Sequence, residues 1–281
     1  MRKLNNKGFA ISTVLYSLLV MATLVLFLLL GNLSFERRST DDLVSNIEDE
    51  LNSLFGNQSL QDPNLLSTSL LLRVGENGNT YNDGTDTFIT GENPNNYVLY
   101  SNKIWRAVLI NNTTKTVKLV TEDIVSSMTF SSTGDTNFAN SEIKTWLNNT
   151  NTNGFLGSLK NYQNFIVTNS EWYIEVSFGN ARPEGTVVNS DVGLLNNYEF
   201  KSSHHDSSAS NSYLVNNKDW WTLTRWDVSP DILVIGITGG LGVNAPTGSY
   251  GVRPVINLKS SIRIVSGDGT ASNPYKLEGD S

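Results

Sequence analysis

The chain has no cysteine. Its 281 residues therefore fold without disulfides, thiol nucleophiles or thiolate metal sites, and a chain of this length has enough core to do so. Histidine is almost as scarce, with only His204 and His205, followed directly by Asp206. Neighbouring residues in a Ser/Asn-rich loop rarely turn both rings to one ion, and no third imidazole exists, so no zinc site is expected. Positive charge is also in short supply. Lys and Arg number 20 against 27 acids, a net charge of −7, which leaves no ground for a nucleic-acid partner held by phosphate neutralisation.

Catalytic signatures are missing too. Gly239-Gly240-Leu241-Gly242 stands in a β-rich stretch without the helix that a phosphate loop or dinucleotide fingerprint requires. No nucleophile elbow accompanies the histidines, and no acid/base set converges, so the sequence reads as a non-enzyme. Calcium stays open. Asn82-Asp83-Gly84-Thr85-Asp86 and Asp268-Gly269 place hard oxygen donors in turns, although such residues serve turns equally well without an ion. No metal or other cofactor is assigned.

Charge is wholly absent from one long stretch. Phe9 to Leu30 is a run of 22 uncharged, mostly apolar residues. As a helix rising 1.5 Å per residue it reaches about 33 Å, enough to cross a bilayer. Arg2, Lys3 and Lys7 precede the run, whereas Glu36, Arg37, Arg38, Asp41 and Asp42 follow it. The positive-inside rule then puts the N-terminus in the cytoplasm and the bulk of the chain outside, a single-pass protein of the cell membrane. The run is too long for a cleaved secretory signal, and Leu30-Gly31-Asn32-Leu33 is a poor cleavage site. A plain signal anchor remains open.

Lys7-Gly8-Phe9 at the membrane boundary offers a third reading. A short basic leader, then Gly-Phe, then an uninterrupted apolar helix resembles the N-terminus of type IV prepilins. That resemblance implies processing by a prepilin peptidase between Gly8 and Phe9, with methylation of the new N-terminal Phe9. It also implies contact with other pilin-like subunits through the helix, possible only where a filament forms. The family places Glu at the fifth mature position, where its carboxylate meets a neighbour's terminal amine. Thr13 stands there instead and cannot neutralise a cation. Thr13 therefore points either to a minor or tip subunit or to a protein that forms no filament. Leu43, Ile47, Leu51 and Leu54 continue a helical stripe beyond the membrane until Gly56-Asn57. The chain then divides into a leader (1–8), a transmembrane and stem helix (9–55), a connector (56–66) and an extracellular domain (67–281).

The outer domain reads as α+β with a mainly antiparallel sheet. Expected strands are Leu70–Val74, Tyr97–Tyr100, Ile104–Ile110, Val117–Val120, Trp220–Thr224, Ile232–Thr238 and Val252–Leu258, with a closing hairpin at Ile262–Val265 and Tyr275–Leu277. Asn77–Thr85 is expected as a loop. A helix is predicted over Ser141–Leu147, capped by Asn140 or Ser141, and a second within Phe155–Ile166. Trp105, Trp146 and Trp221 read as core, and Arg253 as a structural guanidinium.

Asn93-Pro94-Asn95-Asn96-Tyr97-Val98, Trp105-Arg106, Lys144-Thr145-Trp146-Leu147-Asn148, Val192-Gly193-Leu194-Leu195, Trp220-Trp221 and Gly251-Val252-Arg253-Pro254-Val255-Ile256 occur in that order. The series resembles a family of Firmicute surface domains similar to C-type-lectin-like folds, over about residues 93–277. The resemblance implies a recognition or adhesion module whose ligand, a glycan or a protein, meets loops between the paired-Trp strand and the Gly-Val-Arg-Pro strand. Candidate ligand residues there are Arg225, Trp226, Asp227, Asn244, Ser249 and Tyr250; ordinary loop exposure is the competing account.

Overall fold

The computed structural model describes residues 62–75, 78–176 and 181–280. The leader, the membrane run and the stem, with Gly8, Phe9 and Thr13, lie outside these residues. Among the described residues no helix is long and apolar enough to cross a membrane.

The described compact unit begins at Asp62. Asp62 forms an ion pair with Arg263, the Leu66 N–H donates to Ile262 O (2.9 Å), and Leu65 bridges Arg263. Residues 62–66 are thus part of the domain and not of a free connector. The expected strand at Leu70–Val74 is instead helix α1, Leu66–Leu72. Its residues Leu66 to Leu70 are buried all round and only its C-terminal end surfaces, with Leu72 exposed, so no helical period marks it in the sequence.

Strand β1 (Gly78–Asn82) falls within the expected loop Asn77–Thr85 and pairs with β2 (Asp86–Gly91), just beyond it, in a hairpin. The meander β3 (Tyr97–Tyr100), β4 (Lys103–Asn111) and β5 (Val117–Thr121) follows as read from the sequence. Then come β6 (Ser126–Thr129) and helix α2 (Glu142–Leu147), whose N-cap Ser141 accepts from the Lys144 N–H. The second helical stretch is only a 3₁₀ turn at Leu156–Ser158 and the single turn α3 (Tyr162–Phe165). A hairpin of β7 (Ser170–Tyr173) and β8 (Val187–Ser190), then β9 (Val192–Gly193) and helix α4 (Asn197–Ser202), lead to the second half. That half holds β10 (Trp220–Arg225), β11 (Ile232–Ile235), β12 (Leu241–Asn244), β13 (Ser249–Val252), β14 (Val255–Leu258), β15 (Ile264–Ser266) and β16 (Tyr275–Leu277).

Nine strands make one sheet in the order β15-β16-β3-β4-β5-β14-β9, with the β1–β2 hairpin attached to β4 through β2. Five make a second, β12-β11-β10-β13-β6. Pairing is antiparallel except at β16–β3 and β10–β13. The fold is α+β, dominated by antiparallel sheets with few and short helices. Arg253-Pro254 breaks the expected Val252–Leu258 strand and sends its halves into different sheets, since proline cannot donate to a ladder. Strand β4 is buried from Trp105 to Ile110 because both faces are covered, so it shows no polar alternation.

Candidate functional site

The sequence motifs converge first on the interior. Arg106 on β4 donates through Nε to Asn96 Oδ1 (2.6 Å) and pairs with Glu122 (3.5 Å). Its guanidinium lies 3.7 Å over the Tyr97 ring and 4.7 Å from that of Tyr213. Arg253 donates through Nε to Thr121 O (2.9 Å) and through Nη1 to Leu214 O (2.6 Å), over the Trp220 ring. Burial pushes the Arg253 guanidinium down to about 10, with Glu122 acting the other way. Burial likewise pushes the Tyr213 phenol far up. Trp-Arg, the first of the paired tryptophans and Gly-Val-Arg-Pro therefore meet in one buried centre that ties β4, β5, β10 and the β13–β14 junction together. A guanidinium at 1% exposure has no route to an external ligand. This centre is structural, as read for Arg253. Trp105 and Trp221 are fully buried, whereas Trp146 is partly buried and packs against the core.

The candidate ligand residues split into two groups. Asn244, Ser249 and Tyr250 come together where β12 turns into β13: the Tyr250 hydroxyl donates to Asn244 Oδ1 (2.6 Å), tying the turn across its base. The Tyr250 ring stands edge-on to Trp221, 4.8 Å between centroids, and Trp221 is fixed by its Nε1 donating to Met128 O (2.9 Å). Ser249 is exposed. Arg225, Trp226 and Asp227 lie at the far end of β10. Arg225 opposes Ile232, which opposes Asn244, so Arg225 and Asn244 share a row two strands apart, about 10 Å.

Arg225 is engaged. It grips Glu175 in a bidentate pair, Nε–Oε2 3.0 Å and Nη2–Oε1 2.7 Å. Burial pushes the Glu175 carboxyl up, but the Arg225 fork outweighs it and holds the group below its ordinary value. The Trp226 N–H donates to Asp231 O (2.8 Å), and Asp227 is exposed.

A cleft of about 520 Å³ opens beside Ser249 and Tyr250, walled also by Ile124, Ser127, Lys218 and Asp219. Its floor is Gly251, opposite Trp220 in the parallel β10–β13 pair. A Cβ on Gly251 would stand 2.1 Å from Ile124 Cδ1 and 2.9 Å from Asp219 O, so only glycine lets these walls meet. Lys218 is paired with Asp123 (3.1 Å), leaving an open surface of hydroxyls, one aromatic ring and the Asp219 carboxylate. Ser127, Lys218 and Asp219 were missed in the sequence. Lys218-Asp219 immediately precedes the paired tryptophans, a signal that was available, whereas Ser127 sits on β6, whose Ser-Ser-Met-Thr carries no strand pattern.

The acidic turn read as an open calcium question holds a cation of the protein's own. Arg182 Nη2 contacts Asp83 Oδ2 (2.7 Å) and Asp86 Oδ2 (2.5 Å), and the Tyr198 hydroxyl donates to Asp83 Oδ2 (2.6 Å). Burial raises the Asp83 carboxyl, yet the N–H groups of Asp86 and Thr85, with Tyr198 and Arg182, bring it below its usual range. At the other turn, Asp268 Oδ1 accepts from the N–H (3.0 Å) and hydroxyl (2.7 Å) of Thr270. His205 stacks on Tyr81 with centroids 3.5 Å apart, and His204 lies edge-on to Phe200, where burial lowers its basicity. Among the described residues no three His, Asp or Glu side chains group as metal ligands.

Comparison with family models, curated proteins and solved structures finds no match for this chain.

Proposed function

We propose that the chain is a pilin-like, membrane-anchored cell-surface protein whose outer domain, similar to C-type-lectin-like folds, recognises an extracellular glycan or protein. The observation that carries this reading is Lys7-Gly8-Phe9 opening directly onto the charge-free run to Leu30. The N-terminus faces the cytoplasm, and a prepilin peptidase cuts after Gly8. Thr13 in place of Glu makes the protein a minor or tip subunit, since no subunit above it needs a carboxylate there. The convergence of Arg106, Trp220 and Arg253 on one centre supports the domain resemblance, because separated motifs acquire a common purpose. The cleft beside Ser249 and Tyr250 is the recognition surface this reading favours.

Intact mass and N-terminal sequencing of the native protein test it. The expected product lacks residues 1–8 and carries a methyl group on Phe9. An unprocessed chain overturns the pilin reading and leaves the second one, a single-span envelope binding module outside any filament, which Thr13 favours by itself. Glycan-array and cell-binding assays with Ser249→Trp, which fills the cleft mouth, then locate recognition. Binding that survives this substitution at full strength rules the cleft out.

A further inference from the structure

Strand β12 ends the five-stranded sheet, and no described strand covers its outer side. The direction of its backbone groups follows from the hairpin. Gly236 N–H donates to Gly240 O (2.7 Å), one step beyond the Ile235–Leu241 pair. Hydrogen-bonded pairs alternate along an antiparallel ladder, so Gly242 and Asn244 turn inward to Val234 and Ile232. Leu241 and Val243 therefore aim their N–H and C=O groups away from the sheet. Their side chains share one face and are 43% and 47% exposed. Ile237, in the turn before them, is 54% exposed.

Folded proteins normally blunt such an edge with a bulge, a proline, a lysine or a cover. At the opposite edge, β6, Glu142 of α2 accepts from Thr129 Oγ1 (3.2 Å) and, just beyond the strand, from Ser132 N (2.9 Å), which ties that end to a helix. At β15 the ladder is bulged between Ile264 and Ser266. Among the described residues strand β12 has no proline, no lysine and no covering strand. It also lies within a stretch of 21 residues, Ile232 to Val252, that carries no charged side chain in a chain of net charge −7.

We infer that β12 is a self-pairing edge whose partner is a second copy of this chain. Antiparallel pairing about a two-fold axis through Gly242 puts Leu241 of each copy opposite Val243 of the other. Those are the residues whose backbone groups face outward, so each pair exchanges both of its hydrogen bonds. Gly242 meets its own copy at the axis, the close, non-bonded position of the ladder. The apolar faces of Leu241 and Val243 then continue across the junction. A like-charged copy can approach here because the surrounding segment adds no charge of its own. A four-residue strand buries less than the roughly 1,200 Å² of a stable interface, so the pairing is reversible and depends on concentration. This inference goes beyond the recognition reading and stands without it.

Cross-linking tests it cleanly because the chain has no native cysteine. A Cβ on Gly242 meets nothing closer than Asn244 Nδ2 at 3.5 Å, so Gly242→Cys fits the fold. The full chain in detergent micelles is oxidised mildly over a range of concentrations, with Val265→Cys, 64% exposed on β15, as the collision control. Gly242→Cys is expected to form disulfide dimers several-fold faster than the control, and Val243→Lys in the same chain should abolish the excess. Equal rates for Gly242→Cys and Val265→Cys overturn the proposal, as does an excess that Val243→Lys leaves unchanged.

Discussion

Arg182 shows how much a single side chain decides. Asp83 and Asp86 are nearly buried, and two buried carboxylates without a cation would repel each other and lack solvation. Arg182→Gln removes that cation while Arg182 itself is about a third exposed, so a loss of about 2 kcal/mol is expected in urea unfolding. The sign with pH follows from Asp83, whose folded pKa lies below the unfolded value near 3.8. Its contribution is present above that value and disappears as pH falls through the folded one. In Arg182→Gln the carboxyl titrates higher, so acid unfolding should begin at higher pH than in the parent chain. Arg253 is the second such residue. Arg253→Met keeps the bulk but strands the carbonyls of Thr121 and Leu214, with an expected cost of about 3 kcal/mol and an unchanged slope in urea.

Among the elements, β9 is the shortest strand and yet closes the nine-stranded sheet against β14. It can do so only because Gly193 lies under the Trp172 ring, where a Cβ would come within 2.4 Å of the indole. Trp172 cannot retreat, since it is buried and its Nε1 donates to Ser190 O (3.0 Å). Gly193→Ala should therefore cost about 1–3 kcal/mol by overpacking, measured as a drop in the denaturation midpoint. The glycine of Val192-Gly193-Leu194-Leu195 was visible in the sequence; the tryptophan that makes it necessary stands on β7, a strand with no alternation to announce it. The same limit explains α1. Leu70-Leu71-Leu72 is as apolar as a buried strand, and the bonds from Ser69 N–H to Leu65 O (3.0 Å) and from Arg73 N–H to Ser69 O (3.0 Å) settle it as a helix.

For the whole molecule, the two sheets are joined through the buried arginines and tryptophans. Chelation should therefore leave the thermal midpoint unchanged, because Arg182 already neutralises the Asp83–Asp86 turn. A midpoint lowered by EDTA would instead locate a cation, with the Asp268 turn the place to look. Recognition and self-association, if both operate, use different parts of the second sheet: the cleft lies on the β13 side and the open edge at β12.

What depends on local pattern could be read from the chain alone. The meander of β3 to β5, the Ser141-capped helix, the closing hairpin and the burial of Trp105, Trp221 and Arg253 were legible because apolar period, turn residues and capping act over a few positions. The charge-free run from Phe9 to Leu30 belongs to the same class of statement, carried by length and polarity alone. Which of the candidate loop residues meet depends on the packed fold. It joined Tyr250 to Asn244, committed Arg225 to Glu175 and brought Lys218, Asp219 and Ser127 to one cleft. The physical reason is that these contacts depend on parallel and long-range strand pairings, such as Trp220 beside Gly251, which no local pattern encodes.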